Sequence, residues 1–132
     1  MAARILIVDD DDDLREQLQM QLESAGYEVV SVDKAADAAD ALATAKPDLA
    51  IYDLMLEEVD SGFILCHRTK QTHPDLPIIM LSGVAGETGL AFDASTDNER
   101  SWLKADVFLN KPVRVEQVTR EIERLLKRKK ED

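Results

Sequence analysis

The chain has 132 residues, 45% hydrophobic and 33% charged, which suits one soluble globular domain built on a single core. Its formal net charge of −11 argues against direct DNA binding and against anionic membrane surfaces. The lone Cys66 excludes an internal disulfide and fits a reducing compartment, and no apolar run approaches the roughly 20 residues of a membrane span.

Met1 to Arg4 runs straight into a first apolar strand, Ile5-Leu6-Ile7-Val8, so no signal peptide is expected and a cytoplasmic protein is. The strand ends abruptly in Asp9-Asp10. Leu14, Leu18, Leu22 and Ala25 then fall on one helical face, with Asp11 to Asp13 placed to cap the helix and Gly26 to stop it. Tyr27 to Val32 reads as a second strand. Lys34 to Lys46 is an alanine-rich helix with Ala35, Ala38, Ala39 and Leu42 facing inward, ended by Pro47. Leu49 to Tyr52 has the length and character of a buried strand and delivers Asp53 at its end.

A loop from Leu54 to Ser61 leads into a third helix, Gly62 to about Thr72, which buries some of Phe63, Leu65 and Cys66. Ile78 to Leu81 forms a strand ending in Ser82. Gly83 to Asp97 is rich in glycine and small polar residues, and Asn98 to Lys104, with the sole tryptophan Trp102, suggests one or two helical turns. Val107 to Leu109 leads into Asn110-Lys111-Pro112. A last amphipathic helix, Val113 to about Lys129, turns Val115, Val118, Ile122 and Leu125 inward. The basic run Lys127 to Lys130 complements the C-terminus of that helix.

Strands alternating with helices in this rhythm imply βαβ units and a parallel sheet. A doubly wound α/β sheet of five strands in the order 2-1-3-4-5 reverses direction between strands 1 and 3, and ligands bind in the crevice at such a switch point. Asp9, Asp10 and Asp53 border that crevice. A pair of carboxylates 4 Å apart repels by about 4 kcal/mol at an effective dielectric near 20, so a proton or a cation is required. Magnesium suits this donor set, because it accepts a few carboxylates and keeps water and phosphate oxygens for the rest. No Cys or His cluster suggests zinc, and His67 and His73 lack ligand partners. With the Ser82 hydroxyl and the Lys111 ammonium facing in, the set is able to handle a phosphoryl group, an Asp oxygen attacking phosphorus to give an aspartyl phosphate.

Taken singly, each feature has a structural explanation: an acidic helix cap, a turn serine, a surface lysine. Asp53 is hardest to explain so, because an ionised group closing a buried strand needs a partner. Jointly, Ile5-Leu6-Ile7-Val8-Asp9-Asp10, Asp53-Leu54-Met55-Leu56, Leu81-Ser82-Gly83 and Phe108-Leu109-Asn110-Lys111-Pro112 resemble the receiver domain of bacterial two-component response regulators, over Arg4 to about Leu126. The resemblance implies a flavodoxin-like (βα)5 fold, a single chemotaxis-regulator-like receiver over residues 1–132, its core at about 4–126, and a charged tail at 127–132.

It also implies Asp53 as phosphoacceptor from a kinase phosphohistidine. Asp10, Asp53 and the Met55 backbone carbonyl would ligate Mg2+, and Asp9 would act through water. Lys111 would pair with a phosphoryl oxygen, Ser82 and Phe108 would form the switch, and the bond before Pro112 would be a cis candidate. The expected partners are a histidine kinase or phosphotransfer protein and a downstream protein met by the family's fourth helix, fifth strand and last helix. The chain is expected as a monomer or weak dimer that catalyses only its own phosphotransfer and slow autodephosphorylation.

Departures from the family pattern are a lengthened loop with Glu57 in place of a proline, Gly62 one residue late, and a long segment between Ser82 and Lys111. No output domain is expected beyond the last helix. Met55 and Val84, both apolar, imply a long-lived phosphoryl group. Two rival readings remain at this point. One is a haloacid-dehalogenase-type phosphatase with Asp9 as nucleophile and Asp11 as its acid/base partner. The other is a receiver-like binding module that works without phosphorylation.

Overall fold

The computed structural model of the chain describes residues 3–53, 61–82, 106–110 and 114–131. Side chains at positions 61–63, 82, 108, 110 and 128–131 lie outside that description. The strands are β1 (Arg4–Val8), β2 (Glu28–Val32), β3 (Leu49–Asp53), β4 (Ile78–Ser82) and β5 (Val107–Asn110). The helices are α1 (Asp12–Ser24), α2 (Ala35–Ala45), α3 (Ser61–Thr72) and a C-terminal helix (Val115–Glu131). All strands pair in parallel in the order β2-β1-β3-β4-β5, as the alternation of apolar strands and helices requires.

Strand alternation divides the core into two halves. Leu6, Val8, Ala50, Tyr52, Ile78 and Met80 face α2 and α3, packing on Ala38, Leu42, Leu65 and Cys66. Ile5, Ile7, Leu49, Ile51, Ile79 and Leu81 face α1 and the C-terminal helix, packing on Leu18, Leu22, Val118, Ile122 and Leu125. Both faces of the sheet are covered, which is why its central strands are continuously apolar in sequence.

The helix ends follow local chemistry. The Asp11 carboxylate accepts the Leu14 N–H at 3.2 Å and caps α1. Gly26, at φ +102°, takes the left-handed turn that ends it. Two expected inward residues are corrected. Ala25 lies past the last turn of α1 and is exposed, and Ala39 is exposed while Ala41 is buried. The buried stripe of α2 is Ala38, Ala41 and Leu42, one i, i+3, i+4 set. Ala39 lines an open groove toward α3, with Ala36, Ala43, Ile64 and Arg68.

Tyr52 and Thr69 tie β3 to α3 by a buried hydrogen bond of 2.9 Å. The Thr69 hydroxyl donates its proton to the Leu65 carbonyl at 2.7 Å, so the Tyr52 hydroxyl is the donor in that pair. Burial raises the Tyr52 pKa above its ordinary value, and it pushes the neighbouring Cys66 thiol up from 9.0 to about 12. Because the folded Cys66 holds its proton more tightly than the unfolded thiol, its contribution to stability is complete below pH about 9 and is lost between there and about 12. Alkylation at pH 8 should therefore be at least about a thousandfold slower for native Cys66 than for the unfolded chain, measured by iodoacetamide labelling with and without urea. Labelling at equal rates would show the thiol to be accessible.

Candidate functional site

The site sits at the C-terminal ends of β1 and β3, where the strand order reverses. Val8 is paired with Tyr52, so the next residues along, Asp9 just past β1 and Asp53 at the end of β3, lie side by side. Asp9 is fully buried, Asp53 is 5% exposed, and Asp10 faces solvent. One carboxylate oxygen from each lies within 4.8 Å of the others, a grouping able to hold a metal ion. The sheet thus gathers the three carboxylates that the sequence placed at two strand ends. An all-oxygen set with one solvent-facing member fits a hard divalent cation that retains water.

Asp9 is held from several directions. Its N–H donates to the Val32 carbonyl at 3.2 Å, and its Oδ1 accepts the Asp11 N–H at 2.9 Å. Its carbonyl accepts from Arg15 Nη1 at 2.8 Å, while Nη2 of the same guanidinium meets the Asp12 carboxylate. Sequence reasoning missed Arg15. The available signal was a cation three residues after Asp12, which puts the pair on one helix face.

The backbone of Ser82 ends β4, one residue beyond the Asp53–Leu81 pairing, and is itself paired with Asn110 of β5. Phe108 lies within β5, opposite Met80. The side chains of Ser82 and Phe108, and residues Met55, Lys111 and Pro112 altogether, lie outside the described residues. So do Glu57, the segment Gly83 to Lys104 and Trp102 within it. His67 lies on α3 and His73 just after it, and among the described residues the carboxylate cluster contains neither His nor Cys.

The profile of the response regulator receiver domain matches residues 5–123. The chain belongs to that family. The receiver is 38% identical over 126 residues to the transcriptional regulatory protein GltR of Pseudomonas aeruginosa, covering 94% of this chain and 49% of GltR. It is 33% identical over 132 residues to the response regulator MprA of Mycobacterium tuberculosis, covering 98% of this chain and 53% of MprA. The receiver therefore spans about half the length of these curated relatives.

Among crystal structures, the receiver domain of NtrX from Brucella abortus superposes with a TM-score of 0.78 at 28% identity, over 93% of this chain and 98% of that one. A CheY-like receiver from Methanospirillum hungatei shares the fold, with a TM-score of 0.83 at 24% identity and coverage of 99% and 98%. Family membership sets the phosphatase reading aside. Among the described residues of the receiver, no helix is long and apolar enough to cross a membrane.

Proposed function

We propose that the receiver takes a phosphoryl group onto Asp53 from the phosphohistidine of a histidine kinase or phosphotransfer protein. The observation that carries this reading is the meeting of the Asp9, Asp10 and Asp53 carboxylates within 4.8 Å. An Asp53 oxygen attacks phosphorus as the N–P bond of the donor breaks, and the histidine nitrogen leaves with the bonding pair to be protonated. Asp9 is the more enclosed of the two, with no exposure against 5% for Asp53, and one of its oxygens accepts the Asp11 N–H.

Asp10, Asp53 and the Met55 carbonyl would hold Mg2+ directly, with Asp9 acting through water. Bound there, Mg2+ supplies neutralising charge to the phosphoryl oxygens. Lys111 pairs with one of those oxygens and the Ser82 hydroxyl donates to another. Phe108 turns inward as Ser82 is drawn to the phosphoryl group, with the bond before Pro112 cis. The new charge biases a bistable element, remodelling the face of the family's fourth helix, fifth strand and last helix for a downstream protein. Residues 1–132 act in this reading as one receiver unit, cytoplasmic, whose apolar Met55 and Val84 leave its own dephosphorylation slow.

The test is incubation with acetyl phosphate and Mg2+, trapping with borohydride, and mapping of the reduced residue by mass spectrometry. Reduction at Asp53 is expected. Reduction at Asp9 would transfer the nucleophile's role, and no acyl phosphate from this donor or from any histidine kinase would leave a binding module.

A further inference from the structure

The Asp9 carbonyl is a buried acceptor in an awkward place. The residue has no exposure, and the paired register of β1 ends one position earlier, with Val8 against Val32 and Tyr52. A buried carbonyl must be satisfied, and here a side chain supplies one donor. That donor is Arg15, whose side chain is only 16% exposed and rises from the first turns of α1. One arm of its guanidinium meets the Asp9 carbonyl at 2.8 Å and the other meets the Asp12 carboxylate. The Arg15 N–H donates to the Asp11 carbonyl at 2.9 Å, the first i→i−4 bond of α1, which does not depend on the side chain, so the guanidinium is what is particular to this position.

We propose that Arg15 is a positioning residue for the carboxylate cluster: its guanidinium fork fixes the backbone at Asp9 and Asp10, and so keeps both carboxylates aimed at Asp53. This rests on the reading of that cluster as a Mg2+ site. Arg15 acts through the loop and touches neither the cation nor the phosphoryl group. A planar fork with parallel donors can bridge a carbonyl and a carboxylate in one fixed geometry, which a single ammonium cannot do. Charge alone works the opposite way, because a nearby guanidinium repels a divalent cation. Arg15→Lys keeps the charge and loses the fork, so it reads position by itself, whereas Arg15→Met loses both.

The experiment is calorimetric titration of the full chain with MgCl2, paired with acetyl phosphate labelling at saturating Mg2+. Arg15→Lys should weaken Mg2+ binding about tenfold, the scale at which outer supports of metal ligands act. Its labelling rate at saturating Mg2+ should stay within about twofold of the parent, since the nucleophile is untouched. Affinity within about twofold of the parent would overturn the inference. So would Mg2+ binding by Arg15→Met tighter than the parent's, which would make charge the dominant effect. If Arg15→Met does not fold, the outcome of Arg15→Lys decides alone. A parent chain with no saturable Mg2+ binding would overturn the metal reading itself and this inference with it, whereas a Mg2+-binding parent with an unaffected Arg15→Lys overturns only the role of Arg15.

Discussion

Asp53→Asn is expected to abolish phosphoryl uptake and, without Mg2+, to make the protein more stable. Removing a nucleophile should lower labelling by acetyl phosphate at least about a thousandfold. Stability moves the other way because Asp9, Asp10 and Asp53 crowd within 4.8 Å. A pair of carboxylates at that separation repels by roughly 3.5 kcal/mol at an effective dielectric near 20. Water around the exposed Asp10 screens much of this, and the isosteric amide keeps an oxygen acceptor. A net gain of about 1 kcal/mol remains, or roughly 3–5 °C in melting temperature for a chain of this size. Thermal melts in EDTA measure it. Mg2+ should raise the melting temperature of the parent more than that of the variant, since the variant has lost a ligand charge. A variant that melts below the parent in EDTA would mean that the three carboxylates do not strain the folded state.

Asp106→Ala is expected to be the more damaging change, although it lies far from that chemistry. Asp106 precedes β5 at the opposite end of the sheet from the carboxylate cluster. Its Oδ2 accepts from Lys70 Nζ at 3.0 Å and from the Ile78 N–H at 2.9 Å, and its own N–H donates to the Ile78 carbonyl at 2.9 Å. Lys70 Nζ also donates to the Leu76 carbonyl at 2.6 Å. The two side chains are 9% and 19% exposed, so solvent offers little replacement. Alanine would leave a nearly buried ammonium with a carbonyl as its remaining described partner, and would strip the Ile78 N–H of its acceptor.

The cost is about 3 kcal/mol, or roughly 10 °C, read from denaturant and thermal unfolding. Adding Lys70→Met should recover part of the loss, because removing both charges avoids burying one alone. Mg2+ affinity should not change. An Asp106→Ala variant as stable as the parent, or a double variant no better than the single, would show that this clasp does not hold β4 and β5 together.

Most of the architecture was legible because its signals are local. Continuous apolar runs bounded by Pro, Gly and acidic residues identified the strands, and i, i+3, i+4 spacing identified the helices. The Asp11 cap and the Gly26 stop were likewise visible. The rotation of α2 was not, since an alanine-rich helix presents small apolar residues on most of its circumference. Its pattern does not distinguish Ala39 from Ala41, and packing against Leu6, Ala50 and Cys66 decided it. Contacts made by polar side chains across the chain carry no periodic signature either. The Lys70–Asp106 pair spans 36 positions and the Tyr52–Thr69 bond 17.

That polar groups close the strands follows from the amino-acid order alone, because a buried strand of this length must end in residues that return to water or find partners. So does the alternation that makes the sheet parallel and places a crevice at its switch point. How the three carboxylates share that crevice depends on the packed fold: Asp9 buried and tied, Asp53 nearly buried, Asp10 open to solvent. The physical reason is that exposure and register are properties of neighbouring strands and of Arg15 on α1, which no single stretch of sequence contains.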